Sequence, residues 1–456
     1  LTSRLFEQLD PVLRSLRSPA LRDAIAGGLH RLIASIAGAL PPGELEPGLA
    51  AELHALLWRL AESSYAPLSA QDDDWVLALE RQISAELLHG GRSNEDGDRS
   101  LHLALPRIRE GTTPARRLDA SRIPHFELDG GQRLALPLVG AKSMGWFVND
   151  GRNWSWHPID RRQFDEARAT LLGLLAEGHG AEDEIDKAAE SLRHAIGWTA
   201  WLGPDVRRLW IGAHRVLTPA PLEMSLPAGV QPEIGWVLMP GNMERIAPTA
   251  LRALGVPGSA ESLLPELTAV GTELSSVIEA WRSLPDTRVE RLASRSHLVQ
   301  ALSLPGALVH LAAHGRASST RFEASGLWLG GSDDNLEFVS AQRLRGTDIS
   351  ASLVVLAACE TGQGAGQVGV GIGGAASAMV EAGAGAVVGS RWAIGDRAAA
   401  QFSGAFHSAL AANPAAAELA LQRAVTHVRQ QRALRNPTHW AGWFVLFRGV
   451  PRSGTH

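Results

Sequence analysis

Leu267, Val270, Leu274, Val277, Ile278 and Trp281 recur three and four residues apart along "LLPELTAVGTELSSVIEAW", a spacing that gathers apolar side chains on one face of a helix. "TRVERL" follows as a short strand, and "SHLVQALS" as a helix. The continuous apolar runs "ALVHLAAHG" and "SLVVLAA" then predict strands buried on both faces. Between them "SGLWLGG" reads as part of a hairpin and "AQRL" as a short helix. A helix over 371–383, the strand "GAVVGS", helices over 395–411 and 415–432 and a closing strand in "GWFVLFRG" complete the alternation. Strands alternating with helices predict an α/β fold with a mostly parallel sheet covered on both faces.

The pattern differs upstream. Residues 1–95 carry apolar positions at helical spacing, such as Leu29, Leu32, Ile33 and Ile36, and predict a helical N-terminal region. The polar, Gly-rich "LHGGRSNEDGDRS" marks its boundary, with a linker over 96–119. From 120 to 244, "RLALPLVG" and "SMGWFVND", two helices across 162–198, then "RRLWIGAH" and "IGWVLMP" predict a first α/β unit ahead of the regular one at 245–456. Trp146, Trp154, Trp156, Trp198 and Trp201 are expected in its core or on a sheet face, because no basic stripe accompanies them.

Composition narrows the function. With 45% apolar residues the chain can bury large cores, and 43 Lys+Arg against 48 Asp+Glu advertise no nucleic-acid or anionic-membrane surface. The most apolar stretches are interrupted by His30, Arg31 and Glu381 and fall short of a membrane span. The start carries no signal-peptide run and no initiator Met, and the single cysteine, Cys359, fits a reducing, cytoplasmic setting. One thiol excludes a zinc–thiolate cluster and leaves either a core-filling side chain or, if a histidine stands beside it, a nucleophile.

In a parallel sheet, chemistry gathers at the carboxyl ends of strands, where both His314 and Cys359 are placed by the pattern. An imidazole beside a thiol raises its reactivity and later protonates the leaving amine. Gly315 after the histidine lets its backbone N–H approach an oxyanion, with the Cys359 N–H as second donor. Two rival readings are weaker. His310 and His314 have the spacing of a helical zinc site, but their flanks are strand-like and no Glu follows the first His. Gly364, Gly366 and Gly369 match a dinucleotide-binding pattern, but "CETGQ" stands where a tight turn is needed. Neither a metal nor a cofactor is expected.

"LVHLAAHG", "LVVLAACETGQG", "VVGSRWAIGD" and "HWAGWFVLFRG" together resemble the CHAT peptidases, relatives of caspases and separase, with further similarity in "RRLWIGAHRVLTPAPLEM". The resemblance runs from about 120 to 450. It implies a caspase-like sandwich preceded by a degenerate α/β unit, with His314 and Cys359 as a catalytic dyad. Ala313, Ala357 and Ala399 depart from the small or hydroxyl-bearing residues common in the family.

The resemblance further implies a cytoplasmic cysteine endopeptidase acting on a protein substrate. By analogy the setting is bacterial immunity or regulated cell death, with an activating sensor partner and a gasdermin-like or regulatory target. The segment Gly389 to Trp392, including Ser390 and Arg391, is expected to be a free edge pairing with substrate. Asp396 is expected either at the base of a pocket for an Arg side chain or as a helix cap. A catalytically inactive scaffold on the same fold is the competing class.

Overall fold

Period-two alternation along the buried strands divides the core into two layers, one on each face of a single sheet. In the computed structural model, Glu80 and residues 126–452 are described, apart from short segments at 140–143, 178–180, 215, 239–240, 259–263, 319–323, 332–334 and 363–373. The expected helical region 1–95, Glu80 excepted, the linker 96–119 and the glycines 364, 366 and 369 lie outside the described residues.

The first α/β unit comprises β1 (Gln132–Val139), β2 (Met144–Asn149), β3 (Trp154–Ile159), α1 (Arg161–Glu177), α2 (Glu182–Ile196), β4 (Arg208–Gly212) and β5 (Glu233–Val237). A two-residue strand β6 (Asn242–Met243) leads into the second unit. That unit opens with β7 (Ala250–Gly255), α3 (Val270–Ala280), β8 (Asp286–Glu290), α4 (Arg295–Leu302) and β9 (Ala307–Ala312). It continues through β10 (Gly315–Arg316), β11 (Gly326–Gly330), β12 (Leu336–Ser340), α5 (Ala341–Arg345), β13 (Leu353–Ala357), α6 (Ala375–Glu381) and β14 (Ala386–Ser390). Helices α7 (Asp396–Ala412) and α8 (Ala417–Gln430) and strands β15 (Trp443–Phe447) and β16 (Val450–Pro451) end the chain.

Local chemistry sets several of these boundaries. Helix α2 begins with Glu182, Asp183 and Glu184, ends with Arg193 and His194, and stops at Gly197, whose φ of 69° closes the last turn. The Ser294 hydroxyl accepts from the His297 amide at the start of α4, and Ser340 does the same for Arg343 at α5.

Eleven strands form the main sheet, in the order β3-β2-β1-β4-β5-β15-β14-β13-β9-β7-β8. The pairs β1–β2, β2–β3 and β14–β15 are antiparallel, and the other neighbours are parallel. The last long strand, β15, therefore sits at the centre and joins the two units. A smaller sheet, β10-β11-β12, stands beside the carboxyl end of β9.

On β13, Val354 and Leu356 enter the layer with Phe164 of α1, Leu192 of α2 and Met379 of α6. Val355 and Ala357 enter the opposite layer, with Leu274 of α3, Phe402 of α7 and Leu421 of α8. Both layers are apolar, which is why β9 and β13 read as uninterrupted hydrophobic runs. Among the tryptophans of the first unit, Trp146 and Trp198 are fully buried and stack at 6.0 Å.

The strand β7 was not legible as a strand. "ALRALG" carries Arg252 in a short Ala/Leu run, and its place in the sheet is set by β8 and β9 on either side. Arg252 reaches across to Asp286 at the start of the edge strand β8, at 2.8 Å.

Candidate active site

Strands β9 and β13 are parallel neighbours in register Ala312↔Ala357, so His314 and Cys359 each lie two residues beyond the last paired position. The strand ends stay together past the ladder, since the Ala313 N–H donates to Ala357 O at 3.3 Å. Gly315 then passes so close to Cys359 that a Cβ on it would lie 2.1 Å from the Cys359 carbonyl oxygen. No other residue type fits there. Because the Trp328 N–H donates to His314 O, Gly315 occupies a non-hydrogen-bonded position opposite Leu327 in the β10–β11 pairing, and its own N–H points away from β11.

The His314 ring is buried, with Nε2 at 2.7 Å from Pro265 O. A carbonyl can only accept, so Nε2 carries the proton and Nδ1 keeps a lone pair. Burial lowers the His314 pKa from its ordinary value, opposed by the Pro265 bond and the charge of Asp396. Burial also raises that of the Cys359 thiol, opposed by a hydrogen bond from the Ile394 amide and reinforced by the charges of Glu360 and Asp396. The two shifts favour a neutral resting pair, thiol and imidazole, over the ionic one.

After Cys359 the chain turns sharply. Glu360 has φ 55°, the single positive-φ non-glycine residue among those described, at a cost of about 1–2 kcal/mol. Its carboxylate accepts from the Ala317 N–H at 3.2 Å, which ties the turn to the chain beyond Gly315. Thr361 Oγ1 accepts from the Ser390 N–H at 3.0 Å. The Gly362 N–H donates to Ser390 O at 2.8 Å, and a side chain at Gly362 would strike the Phe444 ring. Each residue of "CETG" thus has a separate task in holding the thiol at the sheet edge.

A narrow cavity beneath the thiol is lined by Cys359, Ala357, Leu267, Glu273, Ile394 and Asp396, among others. Asp396 Oδ2 accepts from the Ala269 N–H at 2.7 Å and the Thr268 hydroxyl at 3.3 Å. It therefore meets the start of α3, the neighbouring helix, while lining the cavity; the cap expected of it on its own helix is not made, since Gly395 precedes that helix and no side chain caps it.

Behind Glu273 lies a buried polar chain that sequence reasoning missed. The Trp281 Nε1–H donates to His407 Nδ1 at 3.0 Å, so His407 Nε2–H donates to His310 Nδ1 at 3.1 Å. His310 Nε2 is then 3.1 Å from Glu273 Oε1, which also accepts from the Ser403 hydroxyl at 2.6 Å. Burial, then the nearby His310, holds the His407 pKa well below its ordinary value. The signal available in the sequence was His310 itself, a polar residue inside an apolar strand run.

Three of the expected substrate contacts require correction. Segment 389–392 does not begin as a free edge: Gly389 and Ser390 pair with Phe444 and Trp443 of β15, and beyond the β13 ladder, which stops at Val388, the Ser390 N–H donates to Thr361 Oγ1 and its carbonyl accepts from the Gly362 N–H. Ser390 is buried, its hydroxyl donating to Ala358 O at 3.0 Å. Arg391 is fully buried and bonded inside the protein. Trp392 is partly exposed, but its indole N–H donates to Thr438 O at 2.9 Å and its ring lies against Gly442. At Ser390 both backbone groups are already taken, and the Arg391 N–H donates to Gly442 O, so neither residue offers the strand-pairing donor expected of it.

A mixed α/β sheet with an imidazole and a thiol at the carboxyl ends of adjacent parallel strands defines a class of strand-end sites. The chain belongs to the CHAT domain family, whose model matches residues 188–448, more than half its length. Among solved structures it is similar to separase of Saccharomyces cerevisiae in complex with securin, with 10% identity and a TM-score of 0.48 over 71% of this chain and 30% of that one. The chain thus spans under a third of that separase. It is also similar to the Arg-specific cysteine proteinase gingipain R, with 9% identity and a TM-score of 0.35 over 63% of this chain and 75% of that one. No curated protein matches the chain by sequence.

Proposed function

We propose that the chain is a cysteine endopeptidase in which His314 and Cys359 form the dyad. The observation that carries this reading is the near-contact of the two strand ends, Gly315 against the Cys359 carbonyl, beside an imidazole whose tautomer is set by Pro265 O. In this reading Nδ1 of His314 takes the thiol proton as sulfur attacks the scissile carbonyl carbon. The N–H groups of Gly315 and Cys359 receive the oxyanion, and the proton passes from His314 to the leaving amine as the C–N bond breaks. Water, deprotonated by the same imidazole, then hydrolyses the thioester and restores the thiol.

The substrate is a protein. By family analogy it is a gasdermin-like or regulatory protein cut in the cytoplasm during bacterial immunity or cell death, once a sensor partner switches the protease on. Residues 1–95 are the candidate sensor or adaptor module. No helix among the described residues is long and apolar enough to cross a membrane. Asp396 and Glu273 in the cavity beneath the thiol support a basic side chain before the cut.

One observation favours the non-catalytic scaffold: burial holds the Cys359 thiol protonated. An activity-based thiol probe separates the readings, since labelling of Cys359 that depends on His314 supports the enzyme. The direct test is incubation with proteins encoded beside this one, followed by mass mapping of cut sites. Absence of any cut that the Cys359→Ala variant also lacks, across activated preparations, overturns the peptidase.

A further inference from the structure

Strands β5 and β15 join the two units, yet they pair only at Leu446↔Trp236 and Phe447↔Val237. By contrast β15 pairs with β14 along its whole length. The two strands therefore part toward the sheet edge that carries Cys359, and the Arg391 side chain fills the wedge between them.

Its guanidinium is removed from solvent, and each of its three nitrogens donates inside the protein. Nη1 donates to Ala441 O and Trp443 O, each at 3.1 Å, on the β15 side. Nε donates to Thr218 O at 2.8 Å and Nη2 to Glu223 Oε1 at 2.8 Å, both in the first unit. The rings of Trp236 and Phe444, one from each unit, lie 5.6 and 5.5 Å from its carbon. Glu223 supplies the countercharge and is itself held by the Trp236 indole N–H at 3.2 Å. A buried cation in such a place is strongly destabilised if that partner is lost.

The backbone on either side of Arg391 touches the nucleophile's surroundings. Ser390 bonds Ala358 O and Thr361 Oγ1, the residues that flank the Cys359–Glu360 turn. Three residues after Arg391 comes Ile394, which lines the same narrow cavity as Cys359 and whose backbone acts to lower the thiol's pKa. The Arg391 amide is fixed by Gly442 O at 2.8 Å. Segment 390–394 is thus a bracket around the thiol, and through Arg391 it is anchored both on β15 and in the first unit.

We propose that Glu223 and Arg391 are a positioning pair through which the first α/β unit sets the reactivity of Cys359. The first unit is then a working part of the site and not a vestigial copy of the second. Losing the countercharge lets Arg391 seek water, which draws segment 391–394 outward and moves the Ile394 backbone away from the thiol beside which it lines the cavity. The proposal rests on Cys359 being the nucleophile, although its test does not require peptidase activity.

The test is the rate of Cys359 alkylation by iodoacetamide as a function of pH, on the full chain; the single cysteine makes the signal unambiguous. Glu223→Gln keeps the shape and removes the charge, and Glu223→Ala removes both. In the folded variants, checked by near-UV circular dichroism, alkylation near neutral pH is expected to slow about threefold or more, with the titration midpoint moved upward. Glu223→Asp is expected to recover part of the loss, and with a cleavable substrate kcat falls while KM holds. A profile for folded Glu223→Gln and Glu223→Ala that superimposes on the wild type overturns the proposal. A normal wild-type alkylation response with no cleavage of any protein would instead count against the peptidase and leave the positioning pair standing.

Discussion

The backbone of Gly315 lies against that of Cys359 so tightly that one added methyl group would sit 2.1 Å from the Cys359 carbonyl oxygen. Gly315→Ala must therefore push the ends of β9 and β13 apart. The expected cost is about 1–3 kcal/mol of stability, from overpacking. Peptidase activity should fall further than stability, because both of the oxyanion donors proposed above belong to these two residues. Thermal melts alongside kcat/KM measurements check this, and a variant with full activity would remove the strand-end contact from the mechanism.

The dyad should behave as a unit. Cys359→Ala is expected to abolish cleavage, His314→Ala to cost nearly as much, and the double variant to be no worse than either, because groups acting in one step give non-additive losses. Single-turnover assays on a mapped substrate read this directly. Cleavage that survives in Cys359→Ala excludes the thiol as nucleophile.

The cavity under the thiol should select a basic residue before the cut. A peptide library profiled on the wild type and on Asp396→Asn is expected to show an Arg or Lys preference that weakens in the variant, with Glu273→Gln acting in the same direction. An apolar preference common to all three proteins would reduce Asp396 to its contact with the start of α3.

Two buried imidazoles give stability a defined pH dependence. The pKa values of His314 and His407 are lowered in the folded protein, whereas in the unfolded chain these groups titrate near the ordinary 6.5. The unfolded state then binds protons first on acidification. Their contribution is complete above that value and is lost as the pH falls below it toward the folded values. Urea unfolding across this window should show a falling free energy whose slope is shallower in His407→Gln. By the same reasoning the acid limb of activity, set by neutral His314, should lie below the ordinary imidazole value; an acid limb above it would contradict the neutral pair.

What the sequence disclosed depended on locality. The runs containing His314 and Cys359 show their strand character within a few residues, and the helix bearing Leu274 and Val277 shows its face by spacing alone. The Pro265 carbonyl and the Ile394 amide were invisible, because a backbone group that serves the site leaves no side-chain pattern. Arg391 misled for a related reason. An arginine just past a strand end reads as a surface contact, and its acceptors at Thr218 and Glu223 come from a segment far away in the chain. His310 was weighed as a metal ligand because its true neighbours, Glu273 and His407, belong to two other helices.

The central place of β15 also bears on how the fold is completed. Among the described strands it is the last long one in the sequence, yet it occupies the middle of the sheet, between β14 and β5. Until it arrives, each half carries an open edge, and Arg391 lacks the Ala441 and Trp443 carbonyls. A chain that lacks β15 therefore holds its thiol without the finished surroundings. A chain truncated after Gln430 should accordingly expose both edges and self-associate, with Cys359 alkylating like a thiol in an unfolded peptide. A soluble truncated monomer with wild-type alkylation would show that the last strand is dispensable to the site.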